Sequence, residues 1–511
     1  MSDWTAGYVA DIGYTYGYYL ELNPLRVQLA FLNAGLLPPK VGTACELGFG
    51  QGLSANLHAA ASVVQWAGTD FNPAQAGFAQ ELAEVSGNGA KLYDEAFDQF
   101  ASRPDLPEFD YIGLHGIWSW ISDANRTVVV DFIRRKLKVG GVLYISYNTQ
   151  PGWAAMVPMR DLLTQHAEVL GADGSGIVSR IDGALAFADQ LFAANPAYAR
   201  ANPQVADRLK QIKGQNRNYV AHEYFNRDWQ PMSFAKMAEW LQSAKLQWAC
   251  SANLLEALDA VNLSAEQQAL LKGLPDAQFC QTVRDFCVNQ QFRKDYWVKG
   301  ARSLSPLDKA EGLRALRVVL LQPRADVSLK VNGSLGEATL QEAVYAPLLD
   351  QLADHKARSL AQLESLLAPA GINFAQLTEA VVVLCGTGAL CQVQDESIVS
   401  KAKKHTDKLN LHLMAKSRSS SELSYLASPL TGGGVGVPRF HQLFLLGRLQ
   451  GLKQPAEWAK FGWNILAAQG QRLIKDGKTL ADPVDNLAEL TAQAQAFADK
   501  TLPLLKALQI A

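Results

Sequence analysis

Four residues in one short run have the types and spacing to seat a ligand: Glu46, Gly48, Gly50 and Gly52, within Ala44–Gly52. As the sharp turn between a first strand and a first helix, this run lets the backbone approach a ligand that any side chain would displace. The residue three after Gly50 is Leu53, where a dinucleotide site wants Gly or Ala. The spacing therefore argues against a generic phosphate cradle, and Glu46 adds an acid suited to an amino-acid ligand.

More chemistry follows at the ends of consecutive predicted strands. Asp70, followed by Phe71, closes the second, where a carboxylate can accept hydrogen bonds from both hydroxyls of a ribose. Glu95-Ala96-Phe97 follows the third and offers an acceptor with an apolar surface for adenine. His115 and Trp118 follow the fourth. Tyr147-Asn148 ends the fifth, with Pro151-Gly152-Trp153 just behind, and His222-Glu223-Tyr224 stands further along. A single acid at a strand end is often only a helix cap. In register at successive strand ends, these groups form a set.

The elements that must position them alternate regularly. Strands are expected at Thr43–Leu47, Val63–Thr69, Lys91–Tyr93, Phe109–Leu114 and Val142–Tyr147, with helices at Leu53–Ala61, Ala74–Val85 and Thr127–Leu137. Val139-Gly140-Gly141 reads as a turn. This rhythm predicts an α/β, Rossmann-like, doubly wound parallel sheet. The lead-in carries Tyr8, Tyr14, Tyr16, Tyr18 and Tyr19 ahead of a helix over Leu25–Leu36; the tyrosines suit either packing on the sheet edge or a lid over a ligand.

The chain has 511 residues, which predicts several domains. Hydrophobic residues make up 48% and charged residues 19%, a globular composition. A net charge of -2 argues against a broadly basic surface for nucleic acid. Six cysteines without a CxxC pair argue against a disulfide framework or a cysteine-rich zinc site, so no metal is expected. No apolar run has the length of a membrane span, and Met1-Ser2-Asp3-Trp4 does not open a secretory signal. A cytoplasmic protein is expected.

Residues 41–147 resemble a class I S-adenosylmethionine-dependent methyltransferase, with Glu46–Gly52 as its first motif and Asp70 as its second. Asn23-Pro24, Trp118-Ser119-Trp120, Tyr147-Asn148 before Pro151-Gly152-Trp153, and His222-Glu223-Tyr224 extend the likeness. Together they are similar to methyltransferases that carry a methyltransferase regulatory domain, a group that includes bacterial protein lysine methyltransferases acting on rickettsial outer membrane proteins. The resemblance implies S-adenosyl-L-methionine as cofactor, held by Glu46, Gly48, Gly50, Gly52, Asp70, Phe71, Glu95, Ala96, Phe97 and His115. It implies a protein substrate, methylation of lysine by direct displacement, and a homodimer through 155–215. Tyr147, Asn148 and His222 are the candidate catalytic residues, with Trp118, Trp153 and Glu223 completing the acceptor pocket. His222 is a candidate base or a structural histidine. A small-molecule methyltransferase and a non-catalytic S-adenosylmethionine-binding scaffold are the competing classes.

The expected domains are a methyltransferase core at 1–154 plus 216–304, a helical insertion at 155–215, a winged-helix-like regulatory domain at 305–400 and a helical domain at 401–511. In the third, Asn332-Gly333 reads as a hairpin turn, with helices at Ala346–Leu352, Leu360–Leu367 and Phe374–Gly386. The last of these helices lacks Lys and Arg, which suits protein contact better than nucleic acid. Lys401–Lys408 reads as an exposed charged linker and Gly432–Gly436 as a flexible loop.

Overall fold

A computed structural model describes Tyr8, residues 12–171 and residues 174–511; Met1–Trp4, read above for a signal, lies outside the described residues. Five strands alternate with helices as the periodicity predicts: β1 (Thr43–Leu47), β2 (Gln65–Asp70), β3 (Lys91–Asp94), β4 (Phe109–Leu114) and β5 (Leu137–Asn148). Two later strands, β6 (Leu246–Ser251) and β7 (Phe292–Lys299), complete one sheet in the order β3-β2-β1-β4-β5-β7-β6. The first five are parallel; β7 runs antiparallel to both of its neighbours. Strand order reverses between β1 and β4, so the crevice at their carboxyl ends is where such a sheet binds ligands.

β1, β2, β4 and β5 are mostly buried because helices cover both faces, whereas β3, at the sheet edge, buries only Leu92. The helix Leu53–Ala61 is buried along its whole length, which its small Ser54, Ala55 and Ala59–Ala61 permit. One side of it meets the sheet. The other is covered by the C-terminal half, in particular the helix Glu396–Lys416 and the hairpin formed by Tyr425–Ser428 and Gly433–Gly436.

That packing corrects two expectations. Lys401–Lys408 is no linker but the middle of the helix Glu396–Lys416, where Val399, Ala402, Thr406, Leu409 and Leu413 form a buried stripe beneath the lysines. Gly432–Gly436 is no flexible loop but mostly strand. A Cβ at Gly433 would lie 2.4 Å from the Tyr18 hydroxyl, so glycine is needed for close approach. Two smaller corrections follow. Val139-Gly140-Gly141 lies within β5, at a register irregularity opposite β4. The hairpin Lys330–Gly333 and Gly336–Thr339 turns at Ser334-Leu335, because Gly333 is itself paired with Gly336.

Four helices, Val157–Val169, Ile177–Ala193, Ala197–Ala201 and Gln204–Lys213, fill 155–215 and enclose their own core around Leu163, Ile181, Leu185 and Ile212. The helix Phe374–Gly386 is a core helix, buried from Ala380 to Cys385. Among the described residues no single helix is long and apolar enough to cross a membrane.

Candidate active site

The crevice is a cleft of about 440 Å³ at the carboxyl ends of β1–β4. Its floor is the turn after β1. Gly48, Gly50 and Gly52 all have positive φ, +71°, +57° and +66°, where a side chain is strained. A Cβ on Gly52 would also fall 2.4 Å from that of Ala79, so this glycine lets two helices close over the turn. The turn is tied to β2 by Asp70: its Oδ2 accepts the Gly50 N–H at 2.9 Å and its Oδ1 the Asn72 N–H at 3.0 Å.

Glu46 ends β1 almost fully buried, and its Oε2 has no hydrogen-bond partner among the described residues. Burial pushes its carboxyl up to about 8, and the Asp70 charge adds to this. Burial likewise raises Asp70 to about 7, against the pull of its two backbone donors. The Asp70 anion already has two backbone donors, whereas the Glu46 carboxyl, with an idle oxygen, would be stabilised as an anion by a ligand that brings donors or positive charge.

The other predicted ligand-holding residues line the same cleft: Phe71, Glu95, Ala96, Phe97 and His115. Glu95 pairs through Oε1 with Arg103 at 2.5 Å, while its Oε2 has no partner among the described residues. His115 is stacked on Tyr19, ring centres 3.5 Å apart, and shares a 2.8 Å hydrogen bond with the Tyr144 hydroxyl. Burial lowers this histidine to about 3, so it is neutral.

The far wall comes from distant chain. The helix Arg217–Tyr224 brings His222 and Glu223 to the cleft, and the lead-in brings Tyr8, Tyr14 and Tyr19. His222 Nε2 lies 3.0 Å from the Ile12 carbonyl, and its ring packs against Tyr8 and Tyr14. Burial lowers its pKa, so it holds the lead-in as a neutral ring. Glu223 is raised by burial to about 7, with Tyr14 pulling the other way. The lead-in tyrosines divide into two groups. Tyr8, Tyr14 and Tyr19 face the cleft, while Tyr16 packs on Phe78 and Tyr18 on His58 and Tyr425.

Four predicted pocket residues do not line the cleft. Trp118 is buried in the core beneath β4, with its indole N–H on the Met232 sulfur. Trp153 packs between Tyr224 and Trp229, in the same core as Leu163 and Ile212 of the insertion. Asn148 is buried where its backbone N–H meets the Ser119 hydroxyl at 2.8 Å. Tyr147 is fully buried and donates to Asp295 Oδ2 at 3.1 Å. Tyr147 and Asn148 lie at the end of β5 and Trp118 in the turn after β4, and all three are buried. Tyr147→Phe is expected to cost about 1.5 to 3 kcal/mol of stability, the net worth of one hydrogen bond to a charged group, and to leave turnover within about twofold. Thermal unfolding and initial rates check it.

Trp120 stands where Trp118 was expected. It lines the cleft, and its Nε1 is buried without a partner among the described residues. Both tryptophans sit in one 3₁₀ turn, Trp118–Trp120, and only the turn's orientation decides which faces the ligand. Asp228, four residues past Tyr224, also reaches the cleft and had no signal in the sequence.

Residues 216–299 match a family profile described as a predicted methyltransferase regulatory domain. The uncharacterized protein sll1526 of Synechocystis is 40% identical, with 99% of each chain covered. The uncharacterized protein RP028 of Rickettsia prowazekii is 28% identical over 37% of this chain and 76% of its own. Among solved structures, PKMT2 from Rickettsia typhi in complex with AdoHcy shares the fold across 94% of this chain and 98% of its own, with a TM-score of 0.66 at 17% identity.

Proposed function

We propose the function from one premise: this chain belongs to the family of the Synechocystis protein, class I methyltransferases by fold that carry a methyltransferase regulatory domain. It is an S-adenosylmethionine-dependent methyltransferase whose acceptor is a lysine side chain of a protein. The observation that carries this reading is the cleft itself. It has a glycine turn with an idle buried carboxylate at one end, and at the other an acid at about 7 beneath three tyrosines.

The residues fit the cofactor. Glu46 faces the methionine end with an oxygen left for an ammonium. Phe71, Ala96 and Phe97 offer apolar surface, and Glu95 an oxygen without a partner among the described residues. Bound there, S-adenosylmethionine supplies a methyl group on a sulfonium, which needs an aligned nucleophile and no metal. The chain's own part is to align, dry and neutralise. Tyr8, Tyr14 and Tyr19 close the cleft against water. Glu223, close to half ionised at neutral pH, takes the proton that a lysine ammonium must lose before nitrogen can attack. His222 holds the tyrosine wall in place and is a positioning residue.

Incubation with methyl-labelled S-adenosylmethionine and a cell lysate tests the proposal. The expected result is label in protein, recovered as methyllysine after hydrolysis, and at least about tenfold less in Glu223→Gln. Label in small molecules alone would overturn the protein acceptor. No transfer, despite measured cofactor binding, would overturn the enzyme and leave a scaffold.

A further inference from the structure

A second cleft, of about 580 Å³, shares no lining residue with the first. It opens between β6, β7, the helices Ala265–Lys272 and Ala277–Val288, and the hairpin end at Asn332-Gly333-Ser334. Most of its wall falls within the matched 216–299.

Its buried charges do not balance. Arg293, at 5% exposure, is the buried cation. It spends its guanidinium on Asp295, at 2.8 and 3.0 Å, on Asp285 Oδ1 at 2.5 Å and on Gln281 at 3.1 Å. Two carboxylates thus share one guanidinium. A third acid, Glu256, lines the cleft and receives only neutral donors, from Ser251, Asn253 and Gln290. Arg284 does not offset it, since it is engaged by Asp259 and by the Glu256 carbonyl. Asp285 is only 2% exposed, yet it lines the cleft and its Oδ2 has no hydrogen-bond partner among the described residues. An idle carboxylate oxygen beside a surplus of buried acid calls for a cation.

We propose that this second cleft binds a small organic cation, an ammonium or a guanidinium, against Asp285 and Glu256. The cation completes the count that Arg293 leaves short. Burial raises Asp285 to about 7, which keeps its proton easy to displace on binding. Lys272, exposed on the rim, lines the cleft without an ion pair among the described residues and works against the ligand.

Calorimetry on the full chain with butane-1,4-diamine, and with butane-1,4-diol as its neutral counterpart, tests this. One diamine is expected to bind per chain and the diol not at all. Asp285→Asn should weaken the diamine at least about tenfold while leaving S-adenosylmethionine binding unchanged. Lys272→Glu, an exposed change that leaves the fold intact, should tighten it severalfold and carries the test should Asp285→Asn fail to fold. Binding must persist in Glu46→Gln. Loss there but not in Asp285→Asn would move the cation to the first cleft and overturn the proposal. Equal binding of the diol, no binding of the diamine at 10 millimolar (about a hundredfold above a 0.1 millimolar Kd), or indifference to Lys272→Glu would also overturn it.

Discussion

Replacing Glu46 with glutamine is expected to weaken S-adenosylmethionine binding about 10- to 150-fold, with no loss of stability in the ligand-free protein. A structural carboxylate would behave differently. The Glu46 carboxyl is buried, one of its oxygens has no partner among the described residues, and burial holds its pKa at about 8. No described residue donates a hydrogen bond to that oxygen. Glutamine keeps the shape and removes the titration, so the empty fold is unchanged at about pH 4, where the parent is neutral both folded and unfolded, and gains at about pH 9, where the folded parent is ionised. The bound state loses the charge-assisted contact to the ligand's ammonium, worth about 1.5 to 3 kcal/mol. Calorimetry for affinity and thermal unfolding at the two pH values read both effects. A destabilised variant with full affinity would make Glu46 a packing residue.

The affinity for S-adenosylmethionine should also climb steeply with pH and level off above about 8. In the ligand-free protein Glu46 is protonated below about 8 and Asp70 below about 7. A cationic, hydroxyl-bearing ligand selects the ionised forms, so binding releases protons. Affinity then falls about tenfold per pH unit below 8 and more steeply below 7, where the second carboxyl also protonates. Folding without ligand has the opposite sign. Both folded pKa values lie above the unfolded ones, so this stability is fully present below about 4 and is lost as pH rises toward 8. Dissociation constants at pH 6, 7, 8 and 9, with proton release measured in two buffers, check the first part; thermal midpoints over the same range check the second. An affinity flat from pH 6 to 9 would mean that the carboxyls are ionised before the ligand arrives.

Local pattern made the parallel core and the cofactor end of the cleft legible. β1 and the helices Leu53–Ala61, Leu360–Leu367 and Phe374–Gly386 begin and end where periodicity places them, because buried strands and capped helices carry their signal within a dozen residues. The cofactor residues come together for a topological reason: successive parallel strands deliver their carboxyl ends to one edge, so residues just past each strand meet. The acceptor side has no such rule. Trp118, Tyr147 and Trp153 are aromatic residues near the right strand ends, yet each points into a core. A one-residue step along a strand, or a two-residue step in a 3₁₀ turn, reverses the direction of a side chain. Lys401–Lys408 was obscured differently: the exposed lysines of an amphipathic helix outnumber the small residues, Ala402 and Thr406, that bury its other face.

By itself, then, the sequence determined the α/β sheet, the glycine turn after β1 and the acids at the ends of β1 and β2, since each depends on spacing within a short segment. Only the tertiary structure decided that Glu46 is left with an idle oxygen, and that Glu223 and three of the lead-in tyrosines form the opposite wall. It also decided that Arg293 is outnumbered by buried acids in a second cleft. Burial, hydrogen-bond satisfaction and charge balance are properties of neighbours in space, and those neighbours lie as far apart along the chain as Asn23 and Thr431, 408 residues.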